Sequence, residues 1–392
     1  MTSILGIELS LTEEFMVKVL THRDFLDCER VKTLYQCVGD QQVFECCDRN
    51  NISSIAADAL AQCYGWENLS IRWQQAYEVV DTRIRQYMVE LEKAGTLLGS
   101  HGIPLVALKN SGIAMGLYPH YGACPMGDVD VLVRKSDFRN AHKILIENGY
   151  IFKFRSLLEE ENLDKAEQGG GAEYSVLLHN GDSLWFELQW RPVAGRWIRP
   201  DQEPTADELV ERSVQFEGKT VRVLSPEDNL VQVALHTAKH TFVRAPGFRL
   251  HTDVDRIVRT ENINWELFET RVCSLQVKTA VFFSLAFAHD LLDTPIPSDL
   301  IDRIRPNAWK QRLMIRSLKK VGLFEPEAKK WRRLGYIIFV SLLYDDVKGF
   351  IKGVFPSVTS INDYYSNRNK LLIPVLYLRR ITRLIFQHTL VK

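Results

Sequence analysis

The chain has 392 residues, too many for one simple core, so two or three packed units are expected. Its 49 Lys and Arg balance 49 Asp and Glu, which excludes global charge as a basis for bulk nucleic-acid binding. The seven cysteines, at 28, 37, 46, 47, 63, 124 and 273, lack paired C-x-x-C spacing; they read as free thiols in a reducing compartment and argue against a zinc site or a disulfide framework.

Met1–Ser10 lacks the basic flank and apolar run of a secretory signal, so a cytoplasmic protein is expected. Residues 1–70 carry amphipathic helical patterns and form an N-terminal helical region, and a longer helix is predicted from about Ile71 to Leu98. After Gly102-Ile103-Pro104, the apolar run Leu105–Leu108 reads as a buried strand. It ends at Lys109-Asn110-Ser111-Gly112, followed by a short helix over Ile113–Tyr118, a stop at Pro119 and a loop at Gly122–Pro125. Small residues where a strand breaks into a helix leave N–H groups free to hold phosphate oxygens, with Ser111 adding a hydroxyl and Lys109 a charge. The plainer reading is an ordinary helix cap at Ser111.

Gly127-Asp128-Val129-Asp130-Val131-Leu132-Val133 follows. Successive strand residues point to opposite faces, so Asp128 and Asp130 share one. Such a pair is commonly a solvated turn, but it also suits a Mg²⁺ that carries a nucleotide's phosphates. Ser136–Arg139 caps a helix running to Asn148-Gly149, and Gly169-Gly170-Gly171 reads as a flexible loop without the Lys-Ser/Thr of a phosphate-cradling loop. Glu173–Leu178 and Ser183–Trp190 read as two strands around the turn His179–Asp182. Leu184, Phe186, Leu188 and Trp190 share one face of the second; Trp185, Glu187 and Gln189 share the other. Glu187 is thus a third candidate carboxylate, or else a solvent-facing residue on a half-exposed sheet.

The α/β core, residues 71–200, gives way to a C-terminal helical domain, 201–392, with successive helices after Pro226. His236 and His240 lie four apart on one helix face, as zinc ligands do, but without the Glu of a metalloprotease; a packing or substrate-facing role fits better. Asp253 and Asp255 fit salt bridges or caps as readily as ligand contacts. Ala280–Ala288 and Tyr336–Leu343 are too short to span a bilayer and read as buried helices. Leu371–Phe386 is a basic amphipathic helix suited to packing, with membrane-surface contact as an alternative.

The runs Gly102–Lys109, Gly127–Val133 and Phe186-Glu187-Leu188-Gln189-Trp190-Arg191, with Leu224–Asp228, Asp253 and Asn264-Trp265-Glu266 further on, resemble the uncharacterised bacterial nucleotidyltransferase-like family of the DNA polymerase β-like superfamily. The resemblance covers roughly residues 85–300. It implies an α+β fold, with a polymerase-β-like mixed sheet and flanking helices, and Mg²⁺-dependent transfer from a nucleoside triphosphate, with two metal ions. In that reading Asp128, Asp130 and Glu187 bind metal and catalyse, and Lys109, Ser111 and Gly112 hold the outer phosphates. A small-molecule, peptide or sugar-like acceptor is implied. A kinase-like enzyme using the same site, or a catalytically silent scaffold, are the alternatives. Two positions depart from the family pattern: Asn110 stands where Gly is usual, and Cys124 where Arg is usual.

Overall fold

The computed structural model describes residues 4–156, 160–178, 180–193, 198–240, 247–324, 333–365 and 369–386. His179, the first residue of the expected hairpin turn, lies outside them.

Helical spacing of apolar residues near the N-terminus yields α1 (Leu11–Leu20), α2 (Cys28–Val38), α3 (Asp40–Arg49) and α4 (Ser53–Tyr64). A reciprocal cap opens α1: the Ser10 hydroxyl accepts from the Glu13 N–H, and the Glu13 carboxylate accepts from the Ser10 N–H. The long α5 (Ile71–Gly99) buries Trp73, Val80, Ile84, Tyr87, Leu91, Ala94 and Leu98, a stripe stepping by three, four or seven residues. Its ends are fastened by polar contacts. Trp73 Nε1 donates to Asp40 Oδ1 at 2.8 Å, and Tyr150 Oη donates to the buried Glu90 at 2.5 Å.

Cys28 and Cys63 correct the expectation of free thiols throughout, because they form a disulfide that staples α2 to the end of α4. Sequence spacing alone gave no sign of it, since 35 residues separate the two and helix packing brings them together.

The seven strands are β1 (Val106–Ala107), β2 (Asp128–Leu132), β3 (Ile151–Phe152), β4 (Gly171–Leu177), β5 (Ser183–Gln189), β6 (Val214–Gln215) and β7 (Arg222–Val223), and they form one mixed sheet in the order β3-β4-β5-β2-β1-β7-β6. β2 runs parallel to β5 and antiparallel to β1. The β4–β5 hairpin is as expected. β6 and β7, two residues each, are too short for an alternation signal and extend the sheet beyond residue 200.

One face of the sheet presents Val129, Val131, Tyr174, Leu184, Phe186 and Leu188 to a continuous core that runs from Leu5 to Tyr344. α5 and α7 (Phe138–Glu147) pack on this face. The other face is divided: Val106, Leu108 and Leu132 bury against α9 (Ala206–Arg212), while β2 and β5 there also carry Asp128, Asp130 and Glu187, with Trp185 and Gln189 beside them.

Two local expectations change. The helix after β1 is α6 (Lys109–Ile113), beginning inside the presumed turn, because the Leu108 carbonyl accepts from Ser111 N–H at 3.0 Å as soon as the strand ends. The triple glycine is no loose loop: it ends α8 (Leu163–Gly169) and begins β4, and the Gly170 carbonyl accepts from Trp190 and Arg191 N–H. Gly170 has φ +105°, and a Cβ there would lie 2.8 Å from the Arg191 side chain, so this capping position requires glycine.

Beyond Pro226 come α10 (Pro226–His240), α11 (Leu250–Thr260), α12 (Trp265–Ser274) and α13 (Lys278–Leu292). α13 is buried all round, as its apolar run predicts. The expected buried segment Tyr336–Leu343 is only partly so: Phe339 is buried and Ile338 is 55% exposed. In the helix Ile373–Phe386, Leu376 packs inward while Val375 and Leu378 face out. No helix among the described residues is long and apolar enough to cross a membrane.

The staple can be tested directly. Closing a 35-residue separation constrains the unfolded chain, so Cys28→Ser with Cys63→Ser is expected to lower the stability of the oxidised protein by about 2–4 kcal/mol. Thermal melts with and without dithiothreitol check it: reductant should shift the wild type and leave the double variant unmoved.

Candidate active site

The parallel register of β2 and β5 sets Asp130 opposite Glu187. Alternation then places the side chains. Val129, Val131, Phe186 and Leu188 are fully buried in the main core, so Asp128, Asp130 and Glu187 emerge together on the opposite face. One oxygen from each of the three lies within 4.8 Å of the others. Asp130 is 3% exposed, a depth at which a carboxylate requires counter-charge.

That counter-charge comes from both sides. Lys109 Nζ lies 2.5 Å from Asp130 Oδ1 and 3.8 Å from Glu187 Oε2. Its backbone has φ +49°, a strained conformation for a non-glycine residue, which the ion pair helps to hold. On the other flank, Arg155 donates through Nη1 to Asp128 Oδ2 at 2.6 Å, through Nη2 to Glu187, and through Nε to Glu173 Oε2 at 3.2 Å. Its guanidinium lies 5.7 Å from the centre of the Trp185 ring. Between the flanks, Gln189 Nε2 donates to both Asp130 Oδ1 and Glu187 Oε2 at 2.7 Å. Even so, burial and the neighbouring Asp130 charge push the Asp128 carboxyl above its ordinary range, against the pull of Arg155 and Lys109.

Converging carboxylate oxygens, crowded enough to recruit two cationic side chains, are a donor set suited to a hard divalent cation. The residues present therefore fit the metal that the sequence motifs imply.

Ser111 and Gly112 sit elsewhere than expected. Ser111 is fully buried and its hydroxyl accepts from the Asp130 N–H at 2.9 Å, while a Cβ on Gly112 would lie 3.0 Å from the Ala107 carbonyl oxygen. Both lie at the β1–β2–α6 junction, where the Ser111 hydroxyl helps fix the height of Asp130 in the sheet. Of the turn residues, Lys109 is the one whose side chain reaches the carboxylates.

Three further residues have no role in the sequence reading. Alternation places Gln189 on the face of Glu187 without assigning it to the site, and Glu173, which pairs directly across from Glu187, could have been found by carrying the two-residue period through the hairpin. Arg155 lies in an irregular segment after β3 and no periodicity marks it. The two departures from the family pattern also acquire surroundings. The Asn110 amide donates to Asp253 Oδ2 at 3.0 Å and accepts from Arg249 Nη2 at 3.3 Å. Cys124 is buried beside the charges of Asp253, Arg249 and Arg256, and burial pushes its thiol well above the ordinary range.

A mixed sheet with flanking helices and two parallel strands that present an acidic face is the α+β core of a nucleotidyltransferase. The family described as uncharacterised nucleotidyltransferase matches residues 36–293, about two-thirds of the 392 residues, and the chain belongs to that family. No curated protein and no solved structure matches it significantly.

Because Arg155 occupies the carboxylates' open side, it competes with any cation that binds there. Arg155→Ala is expected to raise Mn²⁺ affinity about fivefold, the worth of one half-exposed ion pair of ~1 kcal/mol, in a calorimetric titration. Unchanged affinity would mean that the guanidinium and the ion do not share the site.

Proposed function

We propose that the chain is a metal-dependent nucleotidyltransferase that moves a nucleotidyl group from a nucleoside triphosphate to a hydroxyl-bearing acceptor. The observation that carries this reading is the convergence of Asp128, Asp130 and Glu187 within 4.8 Å on one sheet face, in a chain of a nucleotidyltransferase family.

A divalent ion held by these carboxylates, Mg²⁺ by its preference for hard oxygen ligands, would neutralise triphosphate charge and lower the pKa of the acceptor hydroxyl. Asp128 and Asp130 face the triphosphate. Glu187, adjoining Asp130 across the strand pair, orients the acceptor hydroxyl and takes its proton. The acceptor oxygen then bonds to the α-phosphorus as the bond to the pyrophosphate oxygen breaks, and pyrophosphate departs. Lys109 and Gln189 hold Asp130 and Glu187 at a fixed separation, so the acidic face is preorganised.

By the family resemblance the acceptor is a small molecule, a peptide or a sugar-like compound. A silent scaffold is disfavoured on energetic grounds, because a deeply buried Asp130 that needs two cationic neighbours in its cluster adds cost without benefit to a protein that only binds a partner.

Magnesium and triphosphate together are expected to raise the melting temperature beyond the effect of either alone, because ligands that bind only the folded state stabilise it. Asp130→Asn should abolish that metal-dependent increment. Equal triphosphate binding with and without the divalent ion would count against the proposed site. For the chemistry, Glu187→Gln keeps shape and should still bind nucleotide, yet lose pyrophosphate release by a factor on the order of 10². Wild-type turnover in that variant would remove Glu187 from the reaction.

A further inference from the structure

The carboxylate face has two flanks of opposite character. Towards β4 lie Asp128, Glu187 and Glu173, with Arg155 as the cation among them. The other flank lies where α10 and α11 pack against α6, and it is cationic. Lys109 opens it, and its neighbour Asn110 reaches Arg249 at the start of α11.

Two side-chain nitrogens on this flank are buried without a hydrogen-bond partner among the described residues: Nδ1 of His236, a donor in the Nδ1–H tautomer, and Nε of Arg249. Arg249 is only 6% exposed. Buried polar atoms are nearly always paired in folded proteins, so two orphans on one flank, with the Arg249 charge felt at His236, point to a ligand that completes them. The ligand's charge follows from the surroundings. His236 stands in the field of Lys109, Arg249, Lys239 and His240, whose ring centre is 4.5 Å from its own, and burial together with these charges drives its imidazole well below the ordinary range. The acid facing Arg249 is Asp253, which already accepts from Tyr118 Oη at 2.8 Å and from Asn110 at 3.0 Å. Positive charge with an unused guanidinium N–H, beside an imidazole nitrogen free to carry a proton, suits an anion with several acceptor oxygens.

We propose that Arg249 and His236, with Lys109 at the junction, form the cradle for the β- and γ-phosphates of the nucleoside triphosphate. This rests on the nucleotidyl-transfer reading above and supplies the half of the site that Ser111 and Gly112 do not. Lys109 joins the two halves: its Nζ touches Asp130, and the next residue holds Arg249. A polyphosphate whose inner phosphate lies at the carboxylates meets opposite charge in one of two directions, where the acid facing Arg249, Asp253, is already held by Tyr118 and Asn110. Towards β4 it would meet Glu173; towards α10 and α11 it meets Lys109, Arg249 and His236.

The test uses the full chain, inorganic tripolyphosphate with Mg²⁺ as probe, and Mn²⁺ alone as a separate readout of the carboxylates, both by calorimetry. His236→Leu is the primary variant. Removing an unpartnered buried nitrogen should leave the ligand-free melting temperature unchanged or raised, while tripolyphosphate binding weakens tenfold or more and Mn²⁺ binding stays at the wild-type level. Arg249→Met should weaken tripolyphosphate binding at least as much, and Arg249→Lys should recover part of it. Tripolyphosphate affinity within twofold of wild type in His236→Leu overturns the cradle, even if Arg249→Met does not fold. Unchanged tripolyphosphate binding with a raised KM for the acceptor also overturns it and assigns the flank to an anionic acceptor. Failure of the underlying reading looks different: the wild type would bind no Mn²⁺ at the carboxylates, while His236-dependent tripolyphosphate binding persisted. If the wild type binds no tripolyphosphate at all, the cradle is overturned.

Discussion

Mutual repulsion of the carboxylates on β2 and β5 is the constraint around which the rest of the structure is arranged. The parallel pairing of the two strands leaves Asp130 and Glu187 no freedom to separate, because Val129, Val131, Phe186 and Leu188 anchor both strands to the core from the other side. The repulsion is met locally. Lys109 enters from the end of β1 in a strained backbone conformation, Arg155 from the segment after β3, and Gln189 bridges the two acids from within β5. Several elements of the shared core border this spot: α6, the strands of the hairpin, and the α10–α11 pair that packs on α6.

Much of this was legible in the sequence, and the reason is periodicity. Two-residue alternation placed Asp128, Asp130 and Glu187 on their faces before any coordinates, and the three-to-four-residue stripe of Trp73 to Leu98 marked the long helix that supports them. Whatever depends on tertiary approach was not legible. Arg155 lies in an irregular stretch, so nothing local announces that its guanidinium will meet three carboxylates. Cys28 and Cys63 are brought together by helix packing that spacing does not encode. The small residues of the turn show what composition leaves open: Ser111 and Gly112 suit a phosphate-holding loop, and in the fold the buried Ser111 hydroxyl accepts from the Asp130 N–H while Gly112 lies close to the Ala107 carbonyl.

The departures from the family pattern gain a physical meaning in this setting. Asn110 is longer than glycine and uses its amide to tie Asp253 and Arg249 together, which couples α11 to the residue that follows Lys109. Cys124, where an arginine is usual, is a small buried group beside Arg249 and Arg256, so positive charge in that neighbourhood is supplied from α11 and its approach instead.

The guanidinium of Arg155 rests above the indole of Trp185, on the strand that carries Glu187. Any cation that takes over the carboxylates from Arg155 must also change the electric field across that ring. An ion bound in place of Arg155 would therefore register in the emission of a native fluorophore on the same strand.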